Sequence, residues 1–205
     1  MKVYAEMERL LTGVEDFATL VGKITEAFDR YVNQALYEAL IGIGSTLGAQ
    51  WYKSSAISEA TKETLRTLCM DVGMASDSEV VIMGTRAALA SVFALNDVSW
   101  ASGDMKNEMY TTGRFGYWEG IRLVELKQGF KLNDTTQYLV ANDVLFIMPV
   151  GIDPMLKLVY EGDTRMYQVQ DAGTHMDMTY DSEVQTKLGI GVVTNAKFGY
   201  WKIVK

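Results

Sequence analysis

An α+β fold follows from three features of this 205-residue chain: an amphipathic pattern over its first forty residues, a helix–strand–helix succession in its middle, and a β-rich, glycine-punctuated last thirty. Apolar side chains at three- and four-residue spacing turn one face of a helix to a core. Runs of β-branched and aromatic residues bounded by glycine pack instead as strands. With 48% hydrophobic and 22% charged residues, the chain can bury a sizeable core in one large domain or two interleaved ones.

Val14, Phe17, Leu20, Val21, Ile24, Phe28, Tyr31, Val32, Leu36 and Leu40 form the first apolar stripe. Gly13 ends a short preceding helix, and Gly42 and Gly44 end this one. A helix of roughly 28 residues spans about 42 Å, a strut rather than a packing element unless Gly22 divides it. A second helix covers 58–73, with Ser58 or Thr61 as N-cap and Leu65, Leu68, Cys69 and Val72 facing inward. Val80 to Met83 is a buried strand, after which Gly84 and Thr85 open a third helix over 86–95. Residues 96–119, rich in Gly, Ser, Asn and Asp with scattered aromatics, read as a long loop of the kind that carries function or meets a partner. Strands return at 121–126, 144–148 and 165–169, separated by turns at Asn133-Asp134, Asp153-Pro154 and Gly162-Asp163. Two last strands, 183–194 and 198–204, are joined by Asn195 to Lys197. A pair this apolar needs cover from a helix or from another subunit, which points to assembly.

The formal charge of −7 disfavours a protein whose work is gripping nucleic-acid phosphates, since that needs clustered Lys and Arg. One cysteine, Cys69, excludes an internal disulfide and fits a reducing compartment. The N-terminus carries Glu6 and Glu8 where a signal peptide has its apolar segment. No run reaches the ~20 apolar residues of a membrane helix, so the expectation is a soluble protein made in the cytosol, with no membrane partner.

Few residues offer chemistry. A nucleophilic triad needs a base, and the single histidine, His175, stands in a polar turn far in sequence from Cys69, which itself lies on an apolar helix face as a small hydrophobe would. Asp171, Asp177, Asp181 and Glu183 crowd one segment and supply hard oxygen ligands, but without the spacing of an EF-hand loop they read as a solvated acidic edge. The glycines from Gly42 to Gly48 imitate a phosphate loop, yet they follow a helix and have no lysine beside Ser45 and Thr46. Asn133-Asp134-Thr135 matches a glycosylation acceptor, without consequence in a cytosolic chain. Trp51, Trp100, Trp118 and Trp201, with Tyr110, Phe115 and Tyr117, suit core packing and subunit contacts better than base or sugar stacking. No catalytic constellation, cofactor site or metal site is expected.

The order of elements carries more. A long helix, then a helix–strand–helix layer around Val80 to Arg86, then the aromatic-glycine segment from Gly113 to Val124, resembles the major capsid proteins of tailed bacteriophages. Val144 to Pro149 and Lys187 to Gly199 look similar to that family's axial-domain strand and closing peripheral strand. The resemblance spans nearly the whole chain on diffuse pattern rather than a sharp motif. It implies the Hong Kong 97-type fold: a spine helix at 14–41 and part of the peripheral domain within 1–57, an axial domain over 58–150, and return strands, mainly peripheral, over 151–205. That family's N-terminal arm and hairpin loop are not visible ahead of the helix. The expectation is therefore that this is the C-terminal portion of a longer shell protein, and covalent cross-linking is not carried over.

The resemblance further implies a structural subunit without catalytic activity, self-associating into hexamers and pentamers of an icosahedral shell around phage DNA, with portal, scaffold or decoration proteins as further partners. A net-acidic subunit suits an inner wall that must not hold DNA. Placed at the capsomer centre, the 96–119 loop would bury Trp100, Met105, Tyr110, Phe115 and Trp118 against neighbours, with Asp104, Lys106 and Glu108 in inter-subunit pairs. Two alternatives stay open: an encapsulin-like compartment that encloses protein cargo, and a metal-dependent enzyme built on the acidic segment from Asp171 to Glu183.

Overall fold

The computed structural model describes residues 2–6, 8–9, 12–13, 16–44, 46–95, 107, 116–131, 134–151, 153–170, 179–193 and 197–204. They fall into two compact units, 1–39 with 156–191 and 40–155 with 192–205.

In the first unit, strand β1 (Lys2–Glu6) pairs antiparallel with β10 (Thr179–Val192), Lys2 opposite Glu183 and Glu6 opposite Thr179. Strand β9 (Leu156–Gln170) lies on the other side of β10. At about 3.3 Å per residue, β9 and β10 form a ribbon near 50 Å long. Helix α1 (Phe17–Gly44) runs unbroken through Gly22. It buries Leu20, Ile24 and Val32 and leaves Tyr31 half exposed. The turn expected at Gly162-Asp163 is instead part of β9. Gly162 takes φ +75° there, a left-handed angle that lets the strand change direction without ending.

The second unit is built on a mixed sheet of order β2-β11-β8-β3-β5-β4. Its strands are β2 (Tyr52–Ser54), β3 (Val80–Gly84), β4 (Tyr117–Trp118), β5 (Ile121–Glu125), β8 (Val144–Pro149) and β11 (Gly199–Lys202). β8, Val-Leu-Phe-Ile-Met-Pro, is buried along nearly all its length because both faces are covered. Register assigns the faces. Ile82 lies opposite both Ile147 and Leu123, and Trp201 opposite Leu145, so these side chains share one face. They pack with Leu65, Leu68, Cys69 and Val72 of α2 (Lys62–Ser76) and Ala88, Leu89 and Val92 of α3 (Arg86–Phe93) in one core. The opposite face carries Phe146, Tyr200 and Tyr52, with Tyr200 stacked on Tyr52 at 5.5 Å and edge-on to Phe146 at 5.4 Å. A short hairpin, β6 (Phe130–Lys131) with β7 (Asp134–Tyr138), stands apart from this sheet.

Local signals explain the helix ends. The Ser58 amide donates to Thr61 Oγ1 at 2.9 Å in a 3-10 turn that leads into α2. α2 continues past Gly73 to Ser76, where Asp77 adopts the left-handed conformation expected of glycine; a short polar side chain tolerates it. Thr85 caps α3, its Oγ1 accepting from the Ala88 amide at 3.3 Å. Gly44 closes α1 as a residue of the helix: a Cβ there would sit 2.2 Å from Tyr200 Cδ2, so only glycine lets the helix end reach the ring.

Three expectations change. The segments 183–194 and 198–204 are not a strand pair: β10 belongs to the first unit and β11 to the second. The reason is burial, since Gly199 to Trp201 are buried on both faces, an environment that only the covered central sheet provides. The compact units are cut elsewhere than at 57 and 150: 40–57, 151–155 and 192–205 lie with 58–150 in the second unit. Finally, β1 occupies a stretch that gave no strand signal of its own, five residues ordered by pairing with a partner some 180 positions away.

Candidate assembly surface

Of the five residues expected at the subunit contact, Trp100, Met105, Tyr110 and Phe115 lie outside the described residues, as do Asp104, Lys106 and Glu108. Trp118 corrects the expectation. It is 0% exposed inside its own subunit, packed with Leu123 and Trp201 in the core, and has no surface left for a neighbour. Strand alternation is the cause. Trp118 pairs with Ile121, which shares the inward face with Leu123, whereas Tyr117 projects outward and is 63% exposed. Among the described residues the Trp118 Nε1 has no hydrogen-bond partner.

The turn that sets this alternation was hidden in the supposed loop. Glu119 and Gly120 join β4 to β5 with φ of +49° and +83°, the two positive angles of a two-residue type I′ hairpin. Arg66 on α2 grips Glu119 through two parallel bonds, Nε to Oε2 and Nη2 to Oε1, each 2.7 Å. Glu63 also accepts from Arg66, and Lys62 Nζ stands 3.8 Å from Glu119 Oε1 while donating to the Leu95 carbonyl at 3.3 Å. Hydrogen bonds from Arg66 hold the Glu119 carboxyl below the usual carboxylate range, and the same bonds raise the guanidinium further above its own.

The first unit exposes a different surface. Val159, Tyr160, Met166 and Tyr167 on β9 are 40–61% exposed, as is Tyr31 on α1 at 51%. A cleft of about 760 Å³ opens between Phe28 and Tyr31 of α1 and the ribbon residues Glu161, Arg165, Gln185 and Lys187. Lys187 Nζ pairs with Glu161 across the ribbon at 2.6 Å. In the second unit Phe130 and Tyr138 stack at 5.7 Å, both more than half exposed.

Most residues considered for chemistry cannot be followed to a common site. His175, Asp171 and Asp177 lie outside the described residues. Asp181 and Glu183 sit on β10 opposite Tyr4 and Lys2, and Glu183 accepts from Gln185 at 2.9 Å. Among the described residues no three His, Cys, Asp or Glu side chains are grouped to hold a metal ion. Cys69 is buried, and desolvation pushes its thiol up to about 12, which keeps it protonated and inert. Gly42 and Gly44 belong to the last turn of α1, not to a strand-to-helix loop. No helix among the described residues is long and apolar enough to cross a membrane.

A long helix, an extended ribbon and a mixed sheet with helices packed against it make up the Hong Kong 97-type capsid fold, and solved structures agree. A phage-related protein from Bordetella bronchiseptica RB50 superimposes with a TM-score of 0.61 at 12% identity, covering 98% of this chain and 74% of its own. The satellite phage P4 procapsid gives 0.60 at 8% identity, covering 100% and 69%. The SrpI encapsulin of Synechococcus elongatus PCC 7942 gives 0.55 at 11%, covering 98% and 71%. Identities this low show the fold. No curated protein matches by sequence. A family profile described as "SPbeta prophage-derived putative capsid protein YonB" matches residues 1–202, and the chain belongs to that family. It is a shell-forming structural protein of the virion type.

Proposed function

We propose that the chain is the major capsid subunit of a tailed-phage particle, assembling as hexamers and pentamers into an icosahedral shell around DNA. The match of a capsid family to residues 1–202 carries this reading. The exposed aromatics of β9 support it, since a long edge strand left bare in the subunit is a surface that assembly covers. In this reading the second unit is the axial domain, the first the peripheral domain, and α1 the spine. Trp100, Met105, Tyr110 and Phe115 remain the proposed contacts around the capsomer axis, and Tyr117 replaces Trp118. The subunit has no catalytic activity, is made in the host cytoplasm, and meets portal, scaffold or decoration proteins in the finished particle without reading nucleic-acid sequence.

The SrpI likeness keeps an encapsulin-like compartment as the second reading. Contents separate the two. Particles carrying this chain, purified from its host and treated with nuclease, should retain protected DNA of uniform length. Particles that hold a single enzyme and no DNA would establish the compartment instead.

A further inference from the structure

Among the described residues, β9 is paired with β10 on one side and open on the other. Every residue from Val159 to Tyr167 is exposed, on both faces of the strand. A long open edge is a template for another strand, and the order of its side chains says which one. Outward from Asp163 stand Gly162 and Thr164, then Glu161 and Arg165, then Tyr160 and Met166, then Val159 and Tyr167. Each step matches in kind: small with small, acid with base, apolar with apolar twice. Residues directly opposite in an antiparallel pair share a face and interact. Two copies of β9 related by a twofold axis at Asp163 therefore set every exposed apolar side chain of 159–167 against another, and bring Glu161 to Arg165 twice. Glu161 meets Lys187 of its own ribbon through Oε2, while Arg165 has no acid partner among the described residues. Gly162, at φ +75°, bends the strand beside the axis, between the two arms that would pair. A register centred on Thr164 exchanges the Glu161–Arg165 pair for Asp163–Arg165, but sets Glu161 against Tyr167 and Gly162 against Met166, so apolar side chains go unmatched. The one mismatch of the favoured register is Asp163, which meets its own twin, and like charges directly opposite weaken a pair.

We infer that β9 is a self-complementary edge: it pairs antiparallel with β9 of a second copy across a twofold axis at Asp163, joining subunits of different capsomers. The last step is one of symmetry. Neighbours around a five- or sixfold ring meet through two different surfaces, whereas a strand that pairs with itself makes an isologous contact and requires a twofold axis. Such an edge cannot close a ring, so it links one capsomer to the next. The pairing rests on β9 itself; its place between capsomers rests on the shell-forming reading.

A cysteine on the axis tests partner and register together. Directly opposed residues of an antiparallel pair have Cα atoms about 4.5–5.5 Å apart, within disulfide range. Cys69 is buried and does not compete. Asp163→Cys in the full chain, oxidised under assembly conditions with remaining thiols blocked before denaturation, should run as a covalent dimer. Lys157→Cys, whose two copies would lie about 40 Å apart, should stay monomeric on the same gel. The charges give an independent check. Glu161→Arg or Arg165→Glu alone should weaken association by about tenfold in light scattering, and the double swap should recover most of the loss. The two residues are about 13 Å apart along one strand, so recovery can come only from a second copy. Asp163→Asn, which removes the like charges at the axis, should associate more tightly than wild type. An Asp163→Cys chain that links no better than Lys157→Cys overturns the inference, as does a Thr164→Cys chain that links in its place, or a double swap no better than the single variants. If the wild-type chain never associates, the shell reading falls as well; if it assembles and Asp163→Cys stays unlinked, only the β9 pairing falls.

Discussion

Two glycines in the last turn of α1 should respond to alanine with opposite signs. Neither has positive φ, so alanine fits the backbone at both, and the difference lies in what the new methyl group meets. At Gly42 it meets nothing within 4 Å, and the entropy removed from the unfolded chain should stabilise by about 0.5–1 kcal/mol. At Gly44 it would lie 2.2 Å and 2.4 Å from two Tyr200 ring carbons and 2.9 Å from the ring's root. Tyr200 cannot swing aside freely, because Tyr52 stacks on it and Phe146 meets it edge-on. Overpacking of this kind costs about 1–3 kcal/mol, against a helix-propensity gain of at most ~1 kcal/mol, for a net loss of about 1 kcal/mol. In a chain of this length that is a fall of about 2–4 °C in melting temperature. Thermal unfolding by circular dichroism reads both. Gly44→Ala melting at or above wild type would show that the aromatic cluster does not hold the helix end where it lies.

Three further outcomes follow from the core and the Arg66–Glu119 pair. Trp118→Ala should destabilise by about 3–5 kcal/mol, as loss of a buried tryptophan does, whereas Tyr117→Ala should leave the melting temperature nearly unchanged; denaturant titration compares them. Cys69, with its thiol raised from 9.0 to about 12, should react with a thiol reagent at pH 8 roughly a thousandfold more slowly than in the unfolded chain, and at the ordinary rate once denaturant is added. Glu119 has a depressed folded pKa, so its ionised form contributes stability above the unfolded value of 4.5 that is lost as pH falls through the lower folded value. Glu119→Gln should therefore flatten the stability curve below pH 4.5, and a variant whose acid limb matches wild type would deny the coupling to Arg66.

Where structure is written locally, the sequence was legible. α1, α2 and α3 follow from apolar spacing and polar caps, and β3 and β8 from short apolar runs between turn residues. What stayed hidden depends on partners distant in the chain. β1 is ordered by β10, β9 runs through a glycine that looks like a turn, and β11 joins a different sheet from its sequence neighbour. The contact surface was half legible for the same reason. Tyr117 and Trp118 read as loop aromatics suited to core packing or subunit contact, but which of them points outward is fixed only by the Glu119-Gly120 turn and by pairing with Ile121. Glu-Gly is a weak hairpin signal beside Asn-Gly, so the turn passed as loop. Arg66 and Lys62 carried no sequence sign of their role, since their partner lies more than fifty residues on.

Electron cryomicroscopy of the particles formed by the intact protein tests the central claim most directly. The account predicts closed shells with five- and sixfold capsomers, each subunit placing the mixed sheet around Leu145, Ile147 and Trp201 toward the capsomer axis and the β9–β10 ribbon against a neighbouring subunit. A protein that stays monomeric at high concentration under assembly conditions, or a shell in which β9 faces open solvent throughout, would contradict it.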